Sequence, residues 1–288
     1  MSVIGIVGGT GLYDLEGLTE QRWVRVDSPF GRPSDELLMG RLGEQRVVFL
    51  PRHGRGHRIP PHEINFLANI DALKRAGATS VISVSAVGSL RPELAPGTFV
   101  IVDQFIDRTL RTPKTFFGAG LVAHVSKGHP TCRRLIDQLA ASTEALELDA
   151  VKGGTYVVME GPQFSSLAES ELHRGWGADV IGMTNMPEAK LAREAELCYA
   201  TVAMVTDFDC WHPDHDHVQV ADIVKVLHAN SANARRLVAD VIPRLAGDAP
   251  CPFGCDRALE HAVITAPDAR DPALCAKLDA VAGRILRR

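Results

Sequence analysis

Short runs of β-forming apolar residues recur along this chain between stretches with helical periodicity, and that alternation constrains its fold more than any other feature. The runs Val3-Ile-Gly-Ile-Val7, Arg46-Val-Val-Phe-Leu50, Thr79-Ser-Val-Ile-Ser-Val84 and Phe99-Val-Ile-Val102 read as buried strands. So do Thr155-Tyr-Val-Val-Met159, Ala178-Asp-Val-Ile181 and Cys198-Tyr-Ala-Thr-Val-Ala-Met-Val205. Between them, Ile64, Phe66, Leu67, Ile70 and Leu73 mark an amphipathic helix that Gly77 stops. Further helices are predicted over 132 to 146, from Ala168, from Pro187 to Leu197, and from Val218 to Leu245. The pattern predicts an α/β fold: a single domain over residues 1 to 245, with a mixed, mainly parallel central sheet flanked by helices on both faces. Residues 246 to 288 read as a C-terminal extension.

In open α/β sheets ligands bind beyond the carboxyl ends of the strands, so the residues at those ends are the first candidates for a site. Asp207 and Asp209 follow the strand that ends at Val205. On an extended segment, carboxylates two positions apart point to one side and could engage neighbouring polar atoms of a flat ligand. Capping or loop hydrogen bonding is an equal alternative for such a pair. Gly8-Gly-Thr-Gly11 follows the first strand and permits a tight turn whose N–H groups converge on an anion, or a plain turn. It is not a dinucleotide fingerprint, because Asp14 stands where the third glycine belongs. Arg52 and His53 end another strand and combine a forked with a point donor, which suits phosphate as well as a solvated turn. Ser85-Ala-Val-Gly-Ser89 reads as a small-residue turn with hydroxyls at a strand end. The stretch from Thr109 to Pro130, with Phe116, Phe117 and His124, reads as a long loop, of the kind used as a lid or a subunit contact.

Net charge is −4 over 288 residues, so no general field attracts nucleic acid or an anionic membrane, and an anionic ligand needs a local cluster. No stretch is long and apolar enough to span a membrane, and Val3 to Val7 lacks the basic leader of a signal peptide. Six sparse cysteines suit a reducing, cytoplasmic setting. Cys251-Pro-Phe-Gly-Cys255 has metal-like spacing, but a zinc site needs two more ligands and only His261 and Cys275 are near in sequence, so an unligated turn or a disulfide is expected. His212-Pro-Asp-His-Asp-His217 is expected to be a polar loop that holds no metal.

Taken together, Gly8-Gly-Thr-Gly-Leu12, Pro29-Phe-Gly-Arg-Pro-Ser-Asp35, Arg52-His-Gly-Arg55, Gln104-Phe-Ile-Asp-Arg-Thr109, Glu160-Gly-Pro-Gln-Phe-Ser-Ser166 and Val205-Thr-Asp-Phe-Asp-Cys-Trp211 resemble the methylthioadenosine phosphorylase branch of the trimeric purine nucleoside phosphorylases. The resemblance covers about residues 1 to 245. It implies a one-domain phosphorylase fold, a homotrimer or a dimer of trimers, and no metal or organic cofactor, with inorganic phosphate as co-substrate. The implied reaction converts 5′-methylthioadenosine and phosphate into adenine and 5-methylthioribose 1-phosphate, a step of methionine and purine salvage. By matching positions, Thr10, Arg52, His53, Ser85, Ala86 and Thr184 would hold phosphate, Met183 would contact the ribose, and Phe164 and Ser165 would lie near base and sugar. Asp207 would be the acid at purine N7, and Asp209 would accept from the 6-amino group. His124 matches a position that reaches the site of a neighbouring subunit.

A 5′-methylthio group calls for an apolar pocket, and Val220, Ile223 and Val224 meet that need, although each also reads as ordinary core. Many relatives place Asn where this chain has Gly182, which removes an amide from the purine edge. A phosphorylase for 6-oxopurines is the nearest rival, and an ionised Asp209 disfavours it because a carbonyl O6 would be repelled. A nucleoside-binding module without catalysis would show no phosphate-dependent turnover.

Overall fold

A computed structural model describes residues 2–9, 11–213, 220–247 and 249–287; for 220–223 and 225 it describes the backbone only. The strands are β1 (Val3–Gly8), β2 (Leu18–Val24), β3 (Leu37–Leu42), β4 (Gln45–Pro51), β5 (Ala78–Ser89), β6 (Phe99–Val102), β7 (Gln104–Asp107), β8 (Ala150–Lys152), β9 (Thr155–Val158), β10 (Val180–Gly182) and β11 (Cys198–Asp207). The α-helices are α1 (Phe66–Arg75), α2 (Arg133–Ala145), α3 (Leu167–Gly175), α4 (Asn185–Glu194), α5 (Val220–Arg244), α6 (Pro272–Lys277) and α7 (Gly283–Leu286).

One mixed, mainly parallel sheet holds all of these strands, as the alternating pattern predicts. β5 is its spine: it pairs in parallel with β1 and β11, and its last residues pair antiparallel with β10. Beyond β1 the sheet continues through β4, β3 and β2. Both faces are covered. Phe66, Ile70 and Leu73 of α1 and Ala189, Leu191 and Ala192 of α4 pack one side, while Leu135 and Leu139 of α2 and Leu237 and Val241 of α5 pack the other. A strand buried on both faces reads as a continuous apolar run, which is why β1 and β11 are legible without alternation.

Three local readings change. The turn expected over 85 to 89 is instead the end of β5, because β11 keeps pairing along it as far as the Asp207–Gly88 register. The pairing with β1 stops at Ser83, so from Ser85 to Val87 this stretch is a strand paired with β11 on one edge and, among the described residues, unpaired on the other, and not a turn. The segment leaving Val102 pairs with β9 as β7, and α4 stops at Glu194, short of Leu197, while its regular turns start at Pro187 as expected because Met186 is non-helical at φ −122° and ψ 132°. α3 starts from a capping box in which Ser166 and Glu169 satisfy each other's backbone N–H groups.

The C-terminal segment packs into the same cores. Leu259, Ala262, Leu278, Val281 and Ala282 join the cluster beneath α1 and α4, and Cys251 and Cys255 join the one beneath α2 and α5. Its backbone also holds the long loop: Ile264 donates to Val122 O and His124 to Ala262 O. Among the described residues no helix is long and apolar enough to cross a membrane.

Candidate active site

A cavity of about 500 Å³ opens where β1, β4, β5, β10 and β11 end, closed on one side by α5. Of the residues singled out from sequence, it gathers Arg52, His53, Ser85, Ala86, Phe164, Met183, Thr184, Asp207, Asp209 and Val224 in its walls. These come from segments up to 172 positions apart (224 − 52), and the parallel ladders bring them to one rim.

Asp207 is the last residue of β11, and its two oxygens are held differently. Oδ1 accepts from the Asp209 N–H at 2.8 Å, and Oδ2 lies 2.7 Å from the Thr206 hydroxyl. Asp209 does not continue the strand; it turns into the left-handed region at φ 53°. The pair thus shares the cavity because of a turn closed by the Asp207 carboxylate, and not because of extended-strand alternation. Gly88 makes this packing possible, since a Cβ there would stand 3.0 Å from Asp207 Oδ1 and 3.3 Å from Asp209 Cβ. Burial raises the pKa of Asp207 against the hydrogen bonds from Thr206 and Asp209. Burial also pushes Asp209 up to about 6, with the Ser170 hydroxyl opposing it and the neighbouring Asp207 adding to it. Asp209 Oδ2 is buried with no hydrogen-bond partner among the described residues.

A second group of polar residues faces the same cavity. The hydroxyls of Ser85 and Thr184 are 2.9 Å apart, and the Tyr156 hydroxyl lies 3.3 Å from Ser85. Arg52 is almost wholly buried, and its guanidinium is already engaged: Nε donates to Glu188 at 2.8 Å, Nη1 to Val84 O, and Nη2 to Ser83. It contributes a fixed positive field with few donors to spare, unlike the open fork that its position after a strand suggests. His53 Nδ1 donates to Ile59 O at 2.8 Å, because a carbonyl can only accept. Burial holds its pKa down to about 4, so at neutral pH the ring is uncharged and Nε2 carries a lone pair. Such a ring takes a hydrogen bond from a protonated phosphate oxygen, where a point donor was expected. His57 stacks on it with ring centroids 4.2 Å apart.

Some candidates stand elsewhere. Ser165 is outside the cavity wall, its carbonyl accepting from the Cys210 thiol. His124 is exposed on the long loop and lines no part of the cavity of its own chain. Thr10 and residues 214 to 217 of the His-Asp loop lie outside the described residues, as do the side chains of Val220 and Ile223. Leu227, one helical turn beyond Val224, lines the apolar wall and was not singled out from sequence. Tyr156, Glu188 and Gly88 also escaped sequence reading. A strand tyrosine, a mid-helix glutamate and a strand glycine carry no signal until their partners are known.

Residues 3–243 match the family model of the phosphorylase superfamily. A protein of Cereibacter sphaeroides named S-methyl-5'-thioadenosine phosphorylase is 58% identical over 287 residues, covering 99% of each chain. One of the same name from Bradyrhizobium diazoefficiens is 59% identical over 291 residues, again covering 99% of each. The chain belongs to the S-methyl-5'-thioadenosine phosphorylase family. Among solved structures of this family, a methylthioadenosine phosphorylase from an antarctic soil metagenomic library superposes with a TM-score of 0.92 at 44% identity, covering 97% of this chain and 98% of that one. A mutant adenosine/methylthioadenosine phosphorylase from Schistosoma mansoni, solved in complex with methylthioadenosine, superposes at 0.80 with 35% identity, covering 90% and 97%.

Within the S-methyl-5'-thioadenosine phosphorylase family frame, Gly182 has a physical explanation. A Cβ at that position would collide with the Tyr156 hydroxyl, and the tyrosine is completely buried. The loss of an amide at residue 182 is therefore matched by a phenol in the same space. That phenol is hydrogen-bonded to the cavity-lining Ser85 from behind the wall, since Tyr156 itself does not line the cavity.

Proposed function

We propose that this enzyme is a pentosyltransferase that cleaves 5′-methylthioadenosine with phosphate, giving adenine and 5-methylthioribose 1-phosphate. The observation that carries the reading is one cavity with two raised-pKa carboxyls, half-buried Asp207 and buried Asp209, in one part of its wall and a hydroxyl cluster beside a buried arginine in another. Breaking the N-glycosidic bond leaves cationic character on the sugar and negative charge on the purine. Asp207, whose protonated form is favoured by burial, delivers a proton to N7 as the bond breaks. Asp209, which lines the same cavity, accepts from the 6-amino group with its carboxylate. Ser85, Thr184, the Ala86 backbone, His53 and the fixed charge of Arg52 hold phosphate on the opposite face of the ribose, with Thr10 as a further donor. There the anion stabilises the cationic sugar and then captures C1′. Met183 covers the ribose, Phe164 borders base and sugar, and Val224 and Leu227 receive the methylthio group along α5. No metal or organic cofactor takes part in these steps.

His124, exposed and away from its own cavity, fits a contribution to the site of a second copy, and this supports a homotrimer or a dimer of trimers in which each site is completed by a neighbour. The absence of a spanning helix among the described residues and the buried free thiols are in keeping with a cytoplasmic enzyme.

The test compares methylthioadenosine, adenosine and methylthioinosine, each with and without phosphate, by chromatography of the released base. Adenine release from methylthioadenosine that requires phosphate is expected. Release that is independent of phosphate, or faster turnover of methylthioinosine, would sink the assignment.

A further inference from the structure

Four cysteines that are distant in sequence meet at one point of the fold, away from the catalytic cavity. Cys132 caps the N-terminus of α2, Cys198 opens β11, and Cys251 and Cys255 come from the C-terminal segment. Their sulfur atoms all lie within 4.8 Å of one another, all four side chains are buried, and none is in a disulfide. Cys132 Sγ and Cys251 Sγ are 3.7 Å apart. That is far beyond an S–S bond of about 2.05 Å. It matches the separation of about 3.8 Å between sulfurs of a tetrahedral tetrathiolate zinc with bonds of about 2.3 Å.

The surroundings fit an ion as well as the sulfurs do. The Cys251–Cys255 loop is closed on itself: Gly254, at φ 69°, donates to Cys251 O, and Cys251 N–H donates to Asp256. This fold turns both sulfurs inward from a short segment, the device by which closely spaced cysteines form half of a metal site. Four thiolates around a divalent ion leave a net charge of −2, which needs compensation when buried. Arg134, beside Cys198, has a buried Nε without a partner among the described residues, and Arg133 lies over the ring of Phe253 in the same loop. Four buried thiols in mutual contact otherwise gain little, since S–H is a weak donor and a poor acceptor.

We propose that Cys132, Cys198, Cys251 and Cys255 bind one structural zinc ion, which fastens the C-terminal segment to the starts of α2 and β11. On binding, each thiol gives its proton to solvent and its sulfur lone pair to the ion, so uptake releases protons without any oxidation. The sequence reading stopped at two ligands because it looked for the others near residues 251 and 255. The missing pair lies 53 and more positions upstream (251 − 198), delivered by the sheet. None of the four lines the catalytic cavity, so the ion holds structure and takes no part in phosphorolysis.

The test uses the full chain, purified under reducing conditions from zinc-supplied cells and desalted. Elemental analysis is expected to find about one zinc per chain, and replacement by Co²⁺ to give the ligand-field and sulfur-to-cobalt bands of a tetrahedral tetrathiolate. The double variant Cys251→Ser, Cys255→Ser should drop to below about a tenth of an ion per chain and melt at a lower temperature. If that variant does not fold, the wild-type stoichiometry and cobalt spectrum decide alone. Fully reduced wild-type protein that retains under about a tenth of an ion per chain after exposure to Zn²⁺ overturns the proposal. So does an octahedral cobalt spectrum, or mass spectrometry showing disulfides among these four cysteines whose reduction restores no metal binding.

Discussion

The Tyr156 hydroxyl fills the space into which a side chain on residue 182 would project, so Gly182 and Tyr156 are a matched pair. Gly182→Asn is therefore expected to fail as a simple return of an amide to the purine edge. With Tyr156 wholly buried and unable to retreat, overpacking costs about 1 to 3 kcal/mol, read from urea unfolding. Tyr156→Phe removes the hydroxyl that Ser85 uses, and KM for phosphate should rise with less change in KM for the nucleoside.

Asp207→Asn keeps the shape of the site and the contact with Asp209 N–H but cannot deliver a proton. Turnover is expected to fall by about 10² to 10⁴-fold with nucleoside binding largely retained, measured by single-turnover kinetics and equilibrium binding. Because burial raises the pKa of Asp207 in the free enzyme, kcat/KM should decline as pH rises through that raised value. Near-parent turnover in the variant would remove Asp207 from the acid role.

Asp209 makes the stability of the fold depend on pH in a direction opposite to that of a salt-bridged carboxylate. Its pKa is about 6 in the folded chain against 3.8 for the ordinary group, so between those values the folded chain binds more protons than the unfolded one. Its contribution is therefore greatest at the acid end and is lost as pH rises through about 6, by an amount on the order of 3 kcal/mol. Unfolding free energies of Asp209→Asn and the parent, compared from pH 4 to 7, should differ by this slope. Parallel curves would show that Asp209 is not proton-linked to folding.

Glu188 holds Arg52 by two hydrogen bonds where neither charge reaches solvent. Breaking a buried pair by removing one partner costs about 3 to 5 kcal/mol, so Glu188→Ala should lower stability by that order in urea unfolding. Variant that still folds should bind phosphate more weakly, since the guanidinium loses the anchor that sets its place in the cavity wall. Unchanged phosphate affinity would remove Arg52 from the anion site.

The sheet and its flanking helices were readable because buried strands and amphipathic helices leave local marks: the runs at Val3 to Val7 and Cys198 to Val205, and the apolar stripe from Phe66 to Leu73. The strand ends then named most of the cavity wall. What stayed hidden depends on contacts between distant residues. Whether Ser85 to Ser89 turns or stays extended is decided by β11, and the meaning of Gly88 by the size of two aspartates packed on it. The engagement of Arg52 depends on a glutamate 136 residues away, and the partners of Cys251 and Cys255 stand at the start of α2 and the start of β11, far upstream in the chain.

The unbroken run of β5 has one more consequence. Ser85, beside Thr184, and Gly88, beneath the two aspartates, are three steps apart on a single strand, which sets them about 10 Å apart along its axis at the usual rise. Under the proposed assignment the backbone is thus a ruler laid along the substrate, with the attacking anion at one mark and the base at another. The β11 ladder along this stretch, joined by β10 at Gly88, keeps it from stretching. Members of this architecture can change which nucleoside they take by exchanging side chains at the marks, but inserting or deleting one residue between 85 and 88 would turn every later side chain to the opposite face and dismantle both ends of the site at once.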